Sequence, residues 1–540
     1  MTRIIFQRQT LLLSGVLVLG IFFRIWEIGK IPQGFYSDEA LYGYEAYSLL
    51  LTGKDQFGNK LPSSIAGFGD YRPALYIYFT VPFIKFFGLN EFATRLPSAI
   101  ASCLTLLFLY LFTRKYFHTK IALYSVFILV ISPWSIFFGR MAHETNLMTL
   151  LIISGYYLLI NFNPSIGSTF LSIILLVASM YTYHTARLFV PLSLLITCFF
   201  SYTLIVKRKK IFIPALLFFT LLLLPLLNEF KNETGWTRVS NVSIWSDPGL
   251  GLKINMLRGY IQTYGVNNLI SRLFFNKGTV LPVVLLTNIF THFSARYLIT
   301  TGDPNDIYNV PYTGILLWIE PFLILTGIYS LFMNRRRISI WILILLLLCL
   351  LPDSLTRIAP SSARTQLAGP LVSLLGGVGC YLLLKNFRKL VYLLILLVIL
   401  NSLWFWHNYI LLNPVLHERA WQIGTKEMIN KSQQYSLKYQ KIWISRTGWG
   451  WIHLVFHTKY SPVQLQQKIK VSPKNEYGFW WVYDVGKYHL DLFPKTFASN
   501  TLYVGKPNEF PEGTIPFDKV SNELHQDIYW FVDGKILEHI

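Results

Sequence analysis

An acid pair close to the start of the chain is the first feature of the sequence that can do chemistry. Asp38 and Glu39 lie in the motif Tyr-Ser-Asp-Glu-Ala of residues 36–40. A carboxylate held in place can take the proton of an attacking hydroxyl group. A structural role is the alternative, because Ser37 can cap a helix at this point and acids in a first turn complement the helix dipole.

A second motif further along the chain joins an acid, a phenol and a cation. Asp70, Tyr71 and Arg72 follow one another in the sequence Gly-Asp-Tyr-Arg-Pro of residues 69–73. A guanidinium that faces carboxylates is also a group that can bind two oxygens of a lipid phosphate. Alternatively, Arg72 is an interfacial residue whose aliphatic part lies in a membrane and whose charge reaches the headgroups.

The composition indicates what kind of protein must position these groups. Of the 540 residues, 53% are hydrophobic and only 14% are charged, whereas about a quarter of a soluble protein is charged. The apolar residues form long blocks, such as 211–227, 340–351 and 390–403. Because about 20 apolar residues cross a bilayer as a helix, the sequence predicts a polytopic membrane protein, mainly α, and excludes a soluble one.

Hydropathy predicts about eleven spans with the N-terminus in the cytoplasm. They lie near residues 9–27, 95–113, 120–137, 144–162, 168–184, 188–206, 211–228, 312–333, 338–352, 366–384 and 390–411. With this threading every strong basic cluster falls on the cytoplasmic side, and only the inner loop 161–167 lacks cations. The net charge of +21 therefore reflects membrane topology, and we expect no nucleic-acid partner.

The same threading places three large segments outside the membrane. They are the loops 28–94 and 229–311 and the tail 412–540. The tail alternates strand-like stretches with helix-like ones, so it is predicted to be a small extracytoplasmic α/β domain. The four cysteines all fall in apolar blocks and show no zinc-ligand spacing; they are Cys103, Cys198, Cys349 and Cys380.

The first outer loop is predicted to begin with a helix on the membrane surface. Its apolar stripe consists of Leu41, Tyr44, Ser48 and Leu51, the spacing of an amphipathic helix that lies in the interface.

Further polar side chains fall at the outer ends of the predicted spans. They are Arg140, His143, Glu144, His184, Arg187, Arg357 and Arg364. The positive-inside rule gives no reason for cations there, and snorkelling explains each one alone better than it explains the group. Glu320 is expected near the middle of the eighth span, where a bond to a neighbouring helix is the simpler interpretation of a buried carboxylate.

Together these motifs resemble glycosyltransferase family 39. The residues that carry the resemblance are 36–46, 69–73, Ser132-Pro-Trp, Arg140-Met-Ala-His-Glu-Thr-Asn and 181–191. Members of this family are GT-C-fold enzymes related to protein O-mannosyltransferases and lipid A aminoarabinose transferases. The resemblance covers roughly residues 10–410, and the tail is similar to the small domain of some bacterial members.

Two departures from the family pattern matter. The extra β-trefoil domain of the eukaryotic enzymes is absent, and Tyr71-Arg72-Pro73 stands where the aminoarabinose enzymes have Glu-Lys-Pro. The second difference leaves open which sugar is used and whether a divalent metal takes part.

The resemblance implies an inverting transfer of a sugar from a polyprenyl-phosphate donor to an extracytoplasmic acceptor. Asp38 would be the catalytic base, and Glu39 would position the sugar or the acceptor. Cations would hold the donor phosphate, namely Arg72, Arg187, Arg364 and Arg357. Contacts to the sugar or acceptor would come from Asp70, Tyr71, His143, Glu144 and His184. We further expect Arg72, Arg187 and Arg364 to converge on one phosphate, balanced in part by carboxylates.

Two other functions remain open at this stage. A flippase or transporter of lipid-linked sugars should show inverted-repeat halves with broken spans at matching positions, and the sequence shows neither. A glycan polymerase or ligase would use the same lipid chemistry with a longer glycan, and only a donor assay separates it from a single-sugar transferase.

We expect an odd number of spans, with the N-terminus inside and residues 412–540 outside, because the basic clusters share one side. A cysteine placed near Lys474 should react with an impermeant thiol reagent in intact cells. Reaction only after permeabilisation would contradict both the threading and the predicted side of the candidate site.

Overall fold

The computed structural model describes residues 2–160, 165–231, 241–446, 450–475 and 478–538. Most of the predicted cation-free inner loop 161–167 lies outside the described residues. Two compact units are formed. The first contains residues 1–24, 101–139 and 144–405, and the second contains residues 25–100, 140–143 and 406–540.

Helices dominate the chain up to residue 407. In order, the elements to residue 231 are α1 (Thr2–Ile25), α2 (Ser37–Thr52), β1 (Ser64–Ala66), β2 (Tyr71–Pro73), α3 (Leu75–Phe87), α4 (Glu91–Tyr116), α5 (Thr119–Ile131), α6 (Pro133–Arg140), α7 (Glu144–Leu159), α8 (Ile166–Met180), α9 (His184–Phe200), α10 (Tyr202–Lys207) and α11 (Lys209–Lys231). They are followed by α12 (Pro248–Thr263), α13 (Asn268–Phe274), α14 (Lys277–Thr291), α15 (Glu320–Ser354), α16 (Ser362–Thr365), α17 (Ala368–Asn386) and α18 (Leu390–His407).

Short helices and a sheet make up the rest of the chain. They are α19 (Asn413–Leu416), α20 (Thr425–Tyr435), β3 (Lys441–Ile444), α21 (Gly450–His457), α22 (Pro462–Lys468), β4 (Asp484–Val485), β5 (Tyr488–Leu490), β6 (Thr501–Gly505), β7 (Asp518–Ser521), β8 (Asp527–Asp533) and α23 (Gly534–Leu537). The mainly α fold with a C-terminal α/β part is thus confirmed.

Six helical segments among the described residues are long and apolar enough to cross a membrane. They are Glu91–Tyr116, Lys209–Leu227, Asn268–Thr300, Glu320–Ser354, Ala368–Asn386 and Leu390–Leu416. Helices α5 and α6 form a seventh candidate with a bend of 58°. By length and composition, the described helices therefore give six or seven candidate membrane spans, fewer than the eleven or so predicted from hydropathy. Residues 268–300 are one of these candidates, although the prediction places them in an outer loop. The sidedness of the loops stays a prediction.

Local sequence explains the breaks in the apolar helices. Ser132 is extended (φ −61°, ψ 125°) between α5 and α6, as expected for a residue that precedes a proline. Arg335 (φ −148°, ψ 53°) interrupts the helical geometry inside α15, at the basic cluster predicted to join the eighth and ninth spans. Close helix packing in the first unit relies on small residues, because a side chain at Gly327 would meet the backbone of Leu375 and one at Gly379 would meet that of Leu323.

The position of Glu320 differs from the expectation. It is the first residue of α15 rather than a residue in the middle of a span, and its Oε2 accepts the N–H of Leu317 at 3.1 Å. The carboxylate thus bonds to the backbone at the beginning of its own helix instead of to a neighbouring helix.

The second unit is built around a six-stranded mixed sheet in the order β4-β5-β3-β6-β8-β7. Strand β3 is parallel to β5 and β6, whereas β8 is antiparallel to β6 and β7. All residues of β6 are buried. Residues after 411 belong to the same compact unit as the first predicted outer loop.

Helix α2 is buried in this unit, so its prediction as a helix on the membrane surface is wrong. Leu41, Tyr44 and Ser48 are fully buried, and within the predicted stripe only Leu51 is exposed, at 57%. Helices α3, α21 and α22 cover it, and a side chain at Gly43 would meet the ring of Phe456. The stripe that suggested contact with lipid instead packs against protein.

Candidate active site

The two motifs found in the sequence meet in the second unit. Helix α2 begins at Ser37 and places Asp38 in its first turn, while the turn between β1 and β2 carries Asp70 and leads into Arg72. The guanidinium of Arg72 donates to Asp38 Oδ1 at 2.8 Å. The guanidinium also approaches a second acid, with its Nε 3.9 Å from Asp70 Oδ1. The carboxylates of Asp38 and Asp70 therefore lie beside this cation, while their part in a site shared by three cations stays a prediction.

Aromatic groups complete the environment of Arg72. Its Nη1 donates to the hydroxyl of Tyr42 at 3.1 Å, and its Cζ lies 5.5 Å and 5.8 Å from the ring centres of Tyr42 and Phe68. Burial lowers the pKa of Arg72, but Asp38, Tyr42 and Asp70 together outweigh that effect, and the pKa is raised well above its ordinary value. The site thus holds a permanent cation that is only 14% exposed, beside an acid that is 23% exposed.

Glu39 has a different environment from its neighbour Asp38. Its carboxylate accepts two bonds from Arg95, at 2.9 Å and 2.8 Å, and both side chains are fully buried. It also accepts the N–H of Ala142 at 2.7 Å. Burial raises the pKa of Glu39, and Arg95 opposes this shift. With these partners Glu39 holds the start of α2 in place.

The capping role expected for Ser37 is wrong. The residue at the cap position is Tyr36, whose side chain makes no capping bond. The hydroxyl of Ser37 instead donates to Gln422 Oε1 at 3.0 Å. The first turn of α2 is therefore fixed by bonds to other segments of the unit, from Arg95 and Gln422, and not by a local cap.

Three other predicted residues lie in the same unit. Arg140 is fully buried and donates to the carbonyls of Trp26 and Ile31, so it is not a headgroup-facing residue. His143 is buried, and its carbonyl accepts the hydroxyl of Ser98 at 3.4 Å. Tyr71 is half-buried in β2.

The other predicted cations belong to the first unit, and two of them have carboxylate partners there. Arg187 Nη2 lies 2.9 Å from Glu229 Oε2, and Arg364 Nη1 lies 2.9 Å from Asp353 Oδ1. Arg357 is exposed and donates to the carbonyl of Ser246 at 3.3 Å. The convergence of Arg72, Arg187 and Arg364 on one phosphate stays a prediction.

Asp353 organises the segment that carries Arg364. In addition to its ion pair with Arg364, the carboxylate of Asp353 accepts the N–H of Ser361 at 2.7 Å and lies 2.8 Å from His292 Nε2. His292 Nδ1 lies 2.7 Å from the carbonyl of Asn288. Since a carbonyl only accepts, Nδ1 must carry a proton.

Two further predicted residues lie at the beginnings of helices. Glu144 is the first residue of α7 and is buried, and His184 is the first residue of α9 and is half-buried.

Several residues of these sites are not predicted from the sequence. Arg95 has a usable signal, since it is a cation at the outer end of a predicted span, like Arg140 and Arg187. Glu229, His292 and Asp353 carried none, because only the fold brings them to their partners. Among the described residues, no group of three or more His, Cys, Asp or Glu side chains has the arrangement of a metal site.

The fold is that of the GT-C membrane glycosyltransferases. The crystal structure of ArnT from Cupriavidus metallidurans in the apo state matches with a TM-score of 0.56 and 11% identity, over 98% of both chains. The same protein bound to undecaprenyl phosphate gives 0.54 and 12% over 97% of both chains. The Archaeoglobus fulgidus oligosaccharyltransferase in complex with Zn and sulfate gives 0.50 and 12%, over 83% of this chain and 61% of that one.

The family comparison agrees with the fold. The family model described as dolichyl-phosphate-mannose-protein mannosyltransferase matches residues 71–228. This match, over 158 of the 540 residues, confirms the resemblance to glycosyltransferase family 39. A comparison with curated proteins finds no match.

The environments of the two adjacent acids predict stability losses of different size from the same type of substitution. Glu39→Gln leaves Arg95 as a buried charge without its counter-ion, which should cost about 3–5 kcal/mol of the free energy of unfolding. Asp38→Asn, at a partly exposed pair, should cost about 1 kcal/mol or less. Thermal unfolding of both purified variants measures the difference, and equal losses would contradict the assignment of Glu39 as the anchor.

Proposed function

We propose that the protein transfers a sugar from a polyprenyl-phosphate donor to a hydroxyl group of an extracytoplasmic acceptor, with inversion at the anomeric carbon. The observation that carries this proposal is the pair formed by Asp38 and Arg72, 2.8 Å apart. It joins the two groups that such a reaction needs, a carboxylate for a proton and a guanidinium for a phosphate.

In the proposed reaction the acceptor oxygen attacks the anomeric carbon while the bond from that carbon to the phosphate oxygen breaks. The proton of the acceptor hydroxyl passes to Asp38, and polyprenyl phosphate leaves with the electron pair of the broken bond. A phosphate is a good leaving group without an acid, so the enzyme needs only cations to hold its developing charge. The ArnT structure bound to undecaprenyl phosphate supports a lipid phosphate as the leaving group.

The pairing of Asp38 with Arg72 suggests an order of events. A donor phosphate that binds Arg72 competes with Asp38 for the same guanidinium, whose planar fork can grip two oxygens. Binding of the donor would then release the carboxylate beside the reacting carbon. The base would become free for the acceptor only when a donor is present.

The remaining roles are proposals of the same kind. Glu39, expected to position the sugar or the acceptor, is proposed instead to position α2 together with Arg95, because both side chains are fully buried. Arg187, Arg364 and Arg357 are proposed further contacts to the phosphate. Proposed contacts to the sugar or the acceptor are Asp70, Tyr71, His143, Glu144 and His184.

A donor assay tests the function directly. The purified protein in lipid nanodiscs is incubated with a panel of polyprenyl-phosphate sugars and a mixed cell-envelope extract as acceptor, and released polyprenyl phosphate is measured. Release from at least one single-sugar donor is expected. Release only from donors with longer glycans would indicate a polymerase or ligase, and movement of the donor across the bilayer without release would indicate a flippase.

Asp38→Asn should abolish turnover because the amide keeps the shape of the side chain and loses its basicity. We expect a rate lower by a factor of about 100 or more, with the melting temperature nearly unchanged. Asp484→Asn, at an acid whose side chain is 71% exposed, is the matched control and should keep full activity. A folded Asp38→Asn protein that turns over the donor normally would refute the assignment of the base.

Arg72→Lys should weaken donor binding even though the charge is kept, because an ammonium group cannot replace the guanidinium fork. The loss of one charge-assisted hydrogen bond predicts a donor affinity roughly tenfold lower or more. Arg446→Lys, at a tail residue, is the control. The same swap at Arg187 and Arg364 distinguishes a shared phosphate site, where all three lose affinity, from a site that uses Arg72 alone. Unchanged affinity in Arg72→Lys would contradict its role.

A further inference from the structure

A cavity of about 420 Å³ lies in the second unit beside the segment that leads into α2. Pockets for small ligands commonly measure about 300–1,000 Å³. The lining includes Gly34, Phe35, Glu91, Gln422, His453 and His457. None of these residues was singled out in the sequence, and none belongs to the pair formed by Asp38 and Arg72.

Two histidines one helical turn apart on α21 give this cavity its chemistry. The rings of His453 and His457 stack with centres 5.9 Å apart and planes 16° apart. Burial lowers the pKa of His453 well below its ordinary value and that of His457 to about 3. The neighbouring ring of His457 lowers the pKa of His453 further, whereas Glu91 raises it. The ammonium group of Lys426 lowers the pKa of His457 further. Both imidazoles are therefore neutral at pH 7.

In each of these rings, one nitrogen has no hydrogen-bond partner among the residues that the structure describes. His453 Nε2 bonds to Gln422 Oε1, and since an amide oxygen only accepts, this nitrogen carries the proton and Nδ1 is left as a bare acceptor. Within the described part of the chain, neither His453 Nδ1 nor His457 Nε2 has a hydrogen-bond partner, although both atoms are buried. A buried polar atom left in this way costs about 1–3 kcal/mol, a cost that a bound ligand removes.

Gln422 connects the cavity with the first turn of α2. Its backbone lies in the left-handed region, at φ +53°, which is strained for a residue with a side chain. In this conformation its Oε1 accepts both from His453 and from the hydroxyl of Ser37, the residue before Asp38. The side chain of Gln422 thus links the cavity to the residue beside the proposed base.

We propose that this cavity binds a sugar unit of the acceptor by its hydroxyl groups. This inference rests on the proposed function and names the class of acceptor, a glycan or glycolipid. A sugar hydroxyl can donate to a bare imidazole nitrogen and accept from a side-chain amide, as in Gln422 and Asn430 of the lining. The charges of the lining balance, with Lys30 and Lys426 against Glu91 and Glu427, so the cavity suits a neutral ligand.

Binding of a simple sugar tests this site without any turnover. The whole protein in nanodiscs is titrated with the methyl α-glycosides of mannose, glucose and galactose, and binding is measured by saturation-transfer difference NMR. The intact protein should bind at least one of them. His453→Phe and His457→Phe keep the ring packing and remove the nitrogens, and each should lower the affinity about tenfold or more. His489→Phe, at a histidine of β5 outside the cavity, is the matched control and should bind normally.

A second variant keeps the test valid if the histidine variants fail to fold. Asn430 is exposed at the cavity, so Asn430→Trp should block it without disturbing the core and should abolish glycoside binding. Normal binding in the folded Phe variants or in Asn430→Trp would overturn the proposal. So would the absence of any glycoside binding, including the case in which only Zn²⁺ stabilises the protein through the two histidines. Asp38→Asn should bind the glycoside normally, so failure of the donor assay and failure of this site are separate outcomes.

Discussion

The buried ion pair of Glu39 and Arg95 is the contact on which the geometry of the second unit depends. Two charges without access to water are tolerable only if their remaining hydrogen-bonding atoms are also satisfied. Arg95 meets this requirement by donating to the carbonyls of Ile28, Pro32 and Gly34 in addition to Glu39. The loop before α2, the helix itself and the beginning of α4 are therefore fixed to one another by a single guanidinium.

The ion pair of Glu39 and Arg95 explains why the neighbouring acids Asp38 and Glu39 have different surroundings. Successive residues on a helix point about 100° apart, so when Glu39 is directed into the protein, Asp38 must be directed elsewhere, and it meets Arg72. The anchor sets the rotation of α2, and the turn between β1 and β2 sets the position of the guanidinium. Gly69 allows that turn, since its φ of +145° and its approach to the backbone of Gly478 exclude a side chain. The proposed base is thus held by parts of the chain that take no part in the chemistry.

The sequence could predict those features that depend on local patterns. Apolar blocks located the long helices, the motif at residues 36–40 located the first turn of α2, and the cation of the second motif was expected to face carboxylates. The pattern misled where tertiary packing replaced lipid as the apolar surroundings, as at Leu41 and Tyr44, because an apolar stripe does not reveal what covers it. Partners distant in the chain, such as Gln422 for Ser37 and Glu229 for Arg187, could not be found because only the fold brings them close.

The contacts of Gln422 connect the tail to the proposed active site. A transferase that acts on a hydroxyl must hold the acceptor oxygen within bonding distance of both the base and the anomeric carbon, and errors of about 1 Å are costly to the rate. If the acceptor were bound by an independent domain, each movement of that domain would change this distance. Here the cavity wall and the proposed base are joined through Ser37, Gln422 and His453. Trp421 next to them is fully buried and contacts Tyr36, the residue before α2. A ligand held by the tail is therefore held in the same frame as Asp38.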